Sequence, residues 1–233
     1  MTDVDLHLLS GGAAQGLVLA LREAFRAETG ANVHGTYGAV GAMRAKLLSG
    51  EPCDVVILTA AIIDELKKDG RVLPDTRAPL GRVRTGIAVR AGEVPPIIDD
   101  GASLRAALVA ASGIYFPDPA LATAGIHFVK VLTQLGIHDE IRPRLKPFPN
   151  GATAMRELAC STELAPIGCT QVTEIKYTAG VVLVGPLPAE FELSTIYTVA
   201  VCASAQQPDL ARRFAELMSG SATRTLRVDA GFE

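Results

Sequence analysis

The residues of this chain best placed for chemistry are small and neutral, and they recur where extended runs give way to helical ones. Four loops have this form: Ser10-Gly11-Gly12-Ala13, Gly38-Ala39-Val40-Gly41, Thr123-Ala124-Gly125 and Asn150-Gly151-Ala152-Thr153. The first backbone N–H groups of a helix have no intrahelical partner and carry about half a positive charge. With no bulky side chain in the way, an anion can approach them closely. Loops of this kind hold a small oxyanion or carboxylate without help from a cation. Each also has a plainer use: Gly11 and Gly12 suit a tight turn, Gly38 and Gly41 make room for packing, and Thr123 and Thr153 suit helix capping. Titratable groups stand nearby. Tyr37 is next to the second loop, His34 lies three residues further back where it also suits packing or solvent, and His127 follows Ala124-Gly125 by two residues.

Other chemistries lack their residues. No Ser-His-Asp arrangement stands out, and Cys53, Cys160, Cys169 and Cys202 share no metal-ligand or CxxC spacing. Gly11-Gly12 has neither the spacing of a dinucleotide loop nor the lysine of a P-loop. No metal and no cofactor is expected. The four cysteines read as buried small apolar residues suited to a reducing compartment.

Elements that could position these loops follow from pattern. Leu17, Leu21 and Phe25 share a helical face closed by Gly30. The continuous apolar run Asp54-Val55-Val56-Ile57-Leu58 reads as a parallel strand covered on both faces. Short strands at 5–9, 32–37 and 54–58, each followed by a helix, imply a parallel sheet with helices on both sides. Arg84–Arg90 alternates like a strand and opens a second α/β region, with helices over 103–111, 125–135, 137–144, 153–160 and 171–177 and strands over 114–116, 166–169 and 181–184. A strand over 195–201 and a helix over 208–218 then return. Residues 1–84 with 190–233 form one expected lobe and 85–189 an inserted second lobe, joined by two crossings that act as a hinge. In such sheets ligands sit at the carboxyl ends of strands, where the loops are.

The chain has 233 residues, 48% hydrophobic and 20% charged, with a net charge of −3. This composition is that of an ordinary globular α/β chain. Lysines and arginines do not cluster, so nucleic acid is not an expected partner. No apolar run approaches the roughly 20 residues of a membrane span. The opening Met1-Thr2-Asp3-Val4-Asp5 lacks the charged start and apolar core of a leader. The expectation is a cytoplasmic protein if Met1 is native, and a periplasmic one if a leader was trimmed.

Several segments together resemble the molybdate-binding family of solute-binding proteins, the two-lobed receptors that feed ABC importers. Phe25-Arg26-Ala27-Glu28-Thr29-Gly30-Ala31-Asn32-Val33 resembles that family's first helix and second strand. Gly50-Glu51-Pro52-Cys53-Asp54 is similar to its Gly-x-Pro-x-Asp signature, and Asp118-Pro119 with Ala124-Gly125-Ile126 to its Asp-Pro…Ala-Gly loop. Ala165-Pro166-Ile167-Gly168 and the final Gly231-Phe232 match in order. The resemblance implies an α/β, two-lobed type II periplasmic-binding-protein fold, each lobe a mostly parallel sheet flanked by helices, with a two-strand hinge. It also implies a small anionic ligand and an ABC importer as partner if the chain is exported.

Family members that bind molybdate place serine hydroxyls in the first two loops and a tyrosine later. Here those positions fall on Ala13, within Ala39-Val40-Gly41, and on Gln171. The implied pocket is wider and less polar, suited to a small organic carboxylate. Its expected contacts are Ser10, Gly11, Gly12, Ala13, Tyr37, Gly38, Val40, Gly41, Thr123, Ala124, Thr153 and Gln171. The same scaffold carries an enzyme, aconitate isomerase, which gives an alternative: isomerisation of an unsaturated di- or tricarboxylate. That reaction needs an acid or base within hydrogen-bond reach, for which His34, Tyr37 and His127 are the candidates.

Overall fold

The structure, a computed structural model, describes residues 4–233. Residues 1–3, part of the segment on which the leader reading rests, lie outside the described residues. In chain order come β1 (Val4–Gly11), α1 (Gln15–Thr29), β2 (Ala31–Gly38), α2 (Val40–Leu48), β3 (Val55–Thr59), α3 (Ala60–Lys68) and β4 (Ala78–Arg90). There follow α4 (Gly101–Ala110), β5 (Ile114–Pro117), α5 (Thr123–Gln134), α6 (His138–Ile141), β6 (Leu145–Phe148), α7 (Gly151–Ala159), β7 (Ile167–Gln171), α8 (Val172–Tyr177) and β8 (Val181–Pro186). The chain ends with β9 (Ser194–Val201), α9 (Pro208–Ser219) and α10 (Arg224–Ala230). It divides into two compact units, Met1–Val83 with Thr195–Glu233 and Arg84–Ser194.

In the first unit β1 pairs in parallel with both β2 and β3, and β3 pairs antiparallel with β9. Val55, Val56, Ile57 and Leu58 are all fully buried, as a strand covered on both faces requires. Helix α1 lays Leu17, Val18, Leu21 and Phe25 on the sheet, and the Phe25 ring meets Phe214 of α9 edge-on at 4.9 Å. Gly30 ends α1 at φ 76°, a left-handed cap that costs a residue with a Cβ about 1 kcal/mol or more. Asp54, one residue before β3, is buried and accepts three backbone N–H groups: His7 at 2.8 Å, Gln206 at 2.7 Å and Gln207 at 3.0 Å. The aspartate of the Gly-x-Pro-x-Asp signature therefore fastens β1 to the start of α9.

In the second unit β5 pairs in parallel with β6 and β7, while β4 pairs antiparallel with β7 and β8. Side-chain alternation splits this sheet into two faces. Ile87, Val89, Ile114, Phe116, Ile167 and Cys169 pack with Leu104 of α4 and Phe128 of α5. Ala88 and Tyr115 pack on the other face with Met155 and Leu158 of α7 and Ile175 of α8. Two local expectations change. The helix over 137–144 is only the short α6 and a 3-10 turn at Arg142–Arg144, because Pro143 cannot continue an α-helix. Its place is followed by β6, a strand not anticipated from Leu145-Lys146-Pro147-Phe148. Proline has no N–H for a ladder, and β6 is an edge strand pairing only with β5, where that loss is tolerated.

Candidate functional site

Each unit presents helix N-termini at the carboxyl ends of its parallel strands. In the second unit, α5, α7 and α8 start where β5, β6 and β7 end. Helix α5 packs on the Ile87/Cys169 face of the sheet. Its N-cap, Ala122, has no side chain able to accept a hydrogen bond, so the first-turn amides from Thr123 onward lack a side-chain partner. Gln171 ends β7 on that same face, two residues beyond Cys169. It is 3% exposed, and neither its Oε1 nor its Nε2 has a hydrogen-bond partner. An unpaired buried amide costs about 1–3 kcal/mol, which makes Gln171 the conspicuous polar group at this edge. Thr123 and Ala124, with Gln171, are thus brought to one face and one edge.

Thr153 belongs to a different arrangement. Helix α7 packs on the opposite face, and its N-terminus is already occupied. Asn150 Oδ1 accepts the Thr153 N–H at 2.8 Å, and Arg156 Nη2 donates to Thr153 Oγ1 at 3.0 Å. Glu174 of α8 is fully enclosed there: its carboxyl accepts backbone N–H groups of Gly151, Ala152 and Gln171, and Thr170 Oγ1 donates to its Oε2 at 2.5 Å. Burial pushes the Glu174 carboxyl above the usual range, opposed by these donors. The chain thus supplies its own anion at this loop. The only sequence signal is Thr170-x-x-x-Glu174, a spacing too common to read alone.

In the first unit α1, α2 and α3 follow the parallel strands β1, β2 and β3, and a 3-10 turn at Gly12–Ala14 leads into α1. None of these starts has a side-chain cap: Gly11, Ala14, Ala39 and Thr59 make no capping bond. The register of β1 and β2 places Ser10 opposite Tyr37 and Gly11 opposite Gly38, so the two expected loops lie side by side. The Ser10 hydroxyl donates to the carbonyl of Gly11 at 2.8 Å. Gly12, Ala13 and Val40 are buried, and Gly41 is half-buried. A Cβ on Gly11 would stand 2.8 Å from Val40 Cγ1 and 3.1 Å from the Tyr197 ring, so this glycine also serves close packing. Thr59, starting α3 at the same edge, was not singled out from sequence.

The titratable candidates each have a local contact. His34 is exposed and its Nε2 lies 2.9 Å from Asp5 Oδ1, a hydrogen-bonded pair on the surface. The Tyr37 hydroxyl is folded back over Gly35, away from the loop after Gly38. His127 Nε2 is 2.7 Å from the carbonyl of Phe191, a bond that anchors α5 to the chain after β8. Arg44 is paired with Glu65 at 3.0 Å. Among the described residues no group of three or more His, Cys, Asp or Glu side chains could hold a metal ion, and no helix is long and apolar enough to cross a membrane.

Comparison with known proteins agrees with this architecture. The periplasmic molybdate-binding protein of Azotobacter vinelandii is 20% identical, with a TM-score of 0.81 over 98% of each chain. A sulfate-binding protein from Mycobacterium tuberculosis is also 20% identical, with a TM-score of 0.74 over 98% of this chain and 86% of its own. The fold is that of a type II periplasmic binding protein. By sequence, an aconitate isomerase from a Pseudomonas species is 26% identical over 98% of this chain and 87% of its own length. Residues 6–233 match the family described as bacterial extracellular solute-binding protein, and the chain belongs to that family.

Proposed function

We propose that the chain binds a small organic carboxylate, with contacts drawn from the amides that start α5 and from Gln171 on the same face of the second unit. The observation that carries this reading is the absence of a side-chain cap at the start of α5, on the sheet face where the buried Gln171 amide has no partner. Such amides favour an anion by about 0.3–1 kcal/mol each turn, more when partly buried. A tetrahedral oxyanion is better served by hydroxyl donors, and the matching positions fall on Ala13, within Ala39-Val40-Gly41 and on Gln171, none of which has a hydroxyl. Ala13 and Val40 are buried in the apolar core of the first unit and offer no side-chain donor. The family's description as extracellular solute-binding protein supports a role outside the cytoplasm, and delivery to an ABC importer is part of the same proposal. The test is a thermal-shift and calorimetric panel of di- and tricarboxylates against molybdate, tungstate, sulfate and phosphate. A ligand at 100 times its Kd adds about 2.7 kcal/mol to stability. The largest shift is expected from a carboxylate; a larger one from molybdate or sulfate defeats the reading.

A second reading, isomerisation of an unsaturated tricarboxylate, is favoured by the 26% identity to an aconitate isomerase. It needs a proton acceptor near the bound acid. In His34 and His127 one ring nitrogen, Nε2, is held by Asp5 and by the carbonyl of Phe191 respectively, so Nδ1 of either ring would have to serve. Incubation with cis- and trans-aconitate in heavy water, followed by NMR, tests it: solvent deuterium in the product supports isomerisation, and its absence removes it.

A further inference from the structure

Beside Gln171 stands a second buried polar group without a partner, and sequence reasoning did not single it out. Thr85 of β4 is directly opposite Gln171 of β7 in an antiparallel ladder, so the two side chains leave the sheet on the same face. Thr85 is fully buried and its Oγ1 has no hydrogen-bond partner; Gln171 Oε1 and Nε2 have none either. Two adjacent polar side chains that could bond each other, and do not, are both directed at something else. They lie on the face that α5 covers, at the edge where its uncapped first turn begins.

The balance of donors and acceptors restricts what that something is. The α5 amides only donate. Gln171 Nε2 donates as well, but Gln171 Oε1 only accepts, and Thr85 Oγ1 can do either. A ligand made of acceptors alone, such as sulfate, molybdate or a fully ionised carboxylate without a hydroxyl, leaves Gln171 Oε1 no donor but the Thr85 hydroxyl, which is then lost to the ligand. A ligand with a hydroxyl next to its carboxylate satisfies every group. We propose that Thr85 and Gln171 form a donor–acceptor pair that selects a hydroxycarboxylate over donor-free anions. This rests on the carboxylate reading above and narrows it.

The test uses the full chain and matched acids differing by one hydroxyl: malate against succinate, and citrate against tricarballylate, with sulfate and molybdate as donor-free references. Calorimetry is expected to show each hydroxy acid binding at least ~10-fold more tightly than its partner, since a site built around a ligand hydroxyl rejects the analogue that lacks it. Thr85→Val and Gln171→Met are expected to reduce that preference. Thr85→Val should also raise the Tm of the ligand-free protein, because it removes a buried hydroxyl with no partner. Equal affinity within both pairs overturns the inference and leaves the carboxylate reading standing. Binding of none of the four acids, or of sulfate or molybdate alone, overturns both. An undiminished preference in Thr85→Val, whatever its Tm, overturns the assignment of Thr85. If that variant does not fold, Thr85→Ala takes its place, and the wild-type comparison needs no variant.

Discussion

The carboxyl of Glu174 receives the backbone N–H of Gly151 at the very start of α7, the place where an outside anion would otherwise dock. A Cβ on Gly151 would clash with Glu174 Oε2 and with Thr170 Oγ1, so the approach depends on glycine. One consequence is functional: of the two helix starts expected to bind ligand in the second unit, only α5 is left without an acceptor from the chain.

Gly151→Ala must push the carboxyl and the threonine hydroxyl apart in a packed interior. Overpacking of this kind costs about 1–3 kcal/mol, and separation of Glu174 from its donors adds to it. The expected outcome is a lower urea midpoint with an unchanged m-value, measured by circular dichroism.

Glu174 also gives stability a specific pH dependence. Its pKa is raised in the fold, so between the unfolded and the folded value the native state holds a proton that the unfolded state has lost. This group's contribution is therefore full below the unfolded pKa and is lost as pH rises through the folded one. Glu174→Gln keeps an acceptor for the Gly151 and Ala152 amides but cannot ionise. Its stability relative to the wild type should improve as pH rises through that window and level off above it. A parallel pair of curves from denaturant titrations at several pH values would contradict this.

Asp54 and His34 contrast a buried polar anchor with an exposed pair. Asp54→Ala leaves three backbone N–H groups without their acceptor, and hydrogen bonds to a charged group are worth about 1.5–3 kcal/mol each. A loss of about 3 kcal/mol or more is expected. His34→Ala removes the surface pair with Asp5 and a ring contact with His7 and should change stability by less than about 1 kcal/mol. It should leave carboxylate binding untouched as well. Denaturant midpoints and calorimetry on both variants check the contrast.

Of the four free cysteines, Cys160 is exposed while Cys53, Cys169 and Cys202 are buried. Burial raises the Cys169 thiol, and Cys202 is raised by its bond to Cys53 and by burial. The thiolate is the reactive form, so a maleimide should modify Cys160 first under native conditions. Intact-mass spectrometry against time should show one adduct before the rest, and Cys160→Ser should abolish that early step.

Much of this molecule is legible residue by residue. The apolar run after Asp54, the spacing of Leu17, Leu21 and Phe25, and the glycine at 30 each specify local structure through short-range rules of burial, helical period and left-handed φ. The loops after β1, β2 and β5 are readable for the same reason: small residues at a strand end leave backbone amides uncovered whatever lies further away. Tertiary structure decided which of those amides remain available. Thr153 and Thr123 look alike in the chain, yet one helix start lies beside Glu174 and the other beside Gln171, because successive side chains of β7 leave opposite faces of its sheet. The meeting of Thr85 with Gln171, 86 positions apart in the chain, is likewise set by strand register, and no local pattern encodes a register between distant strands.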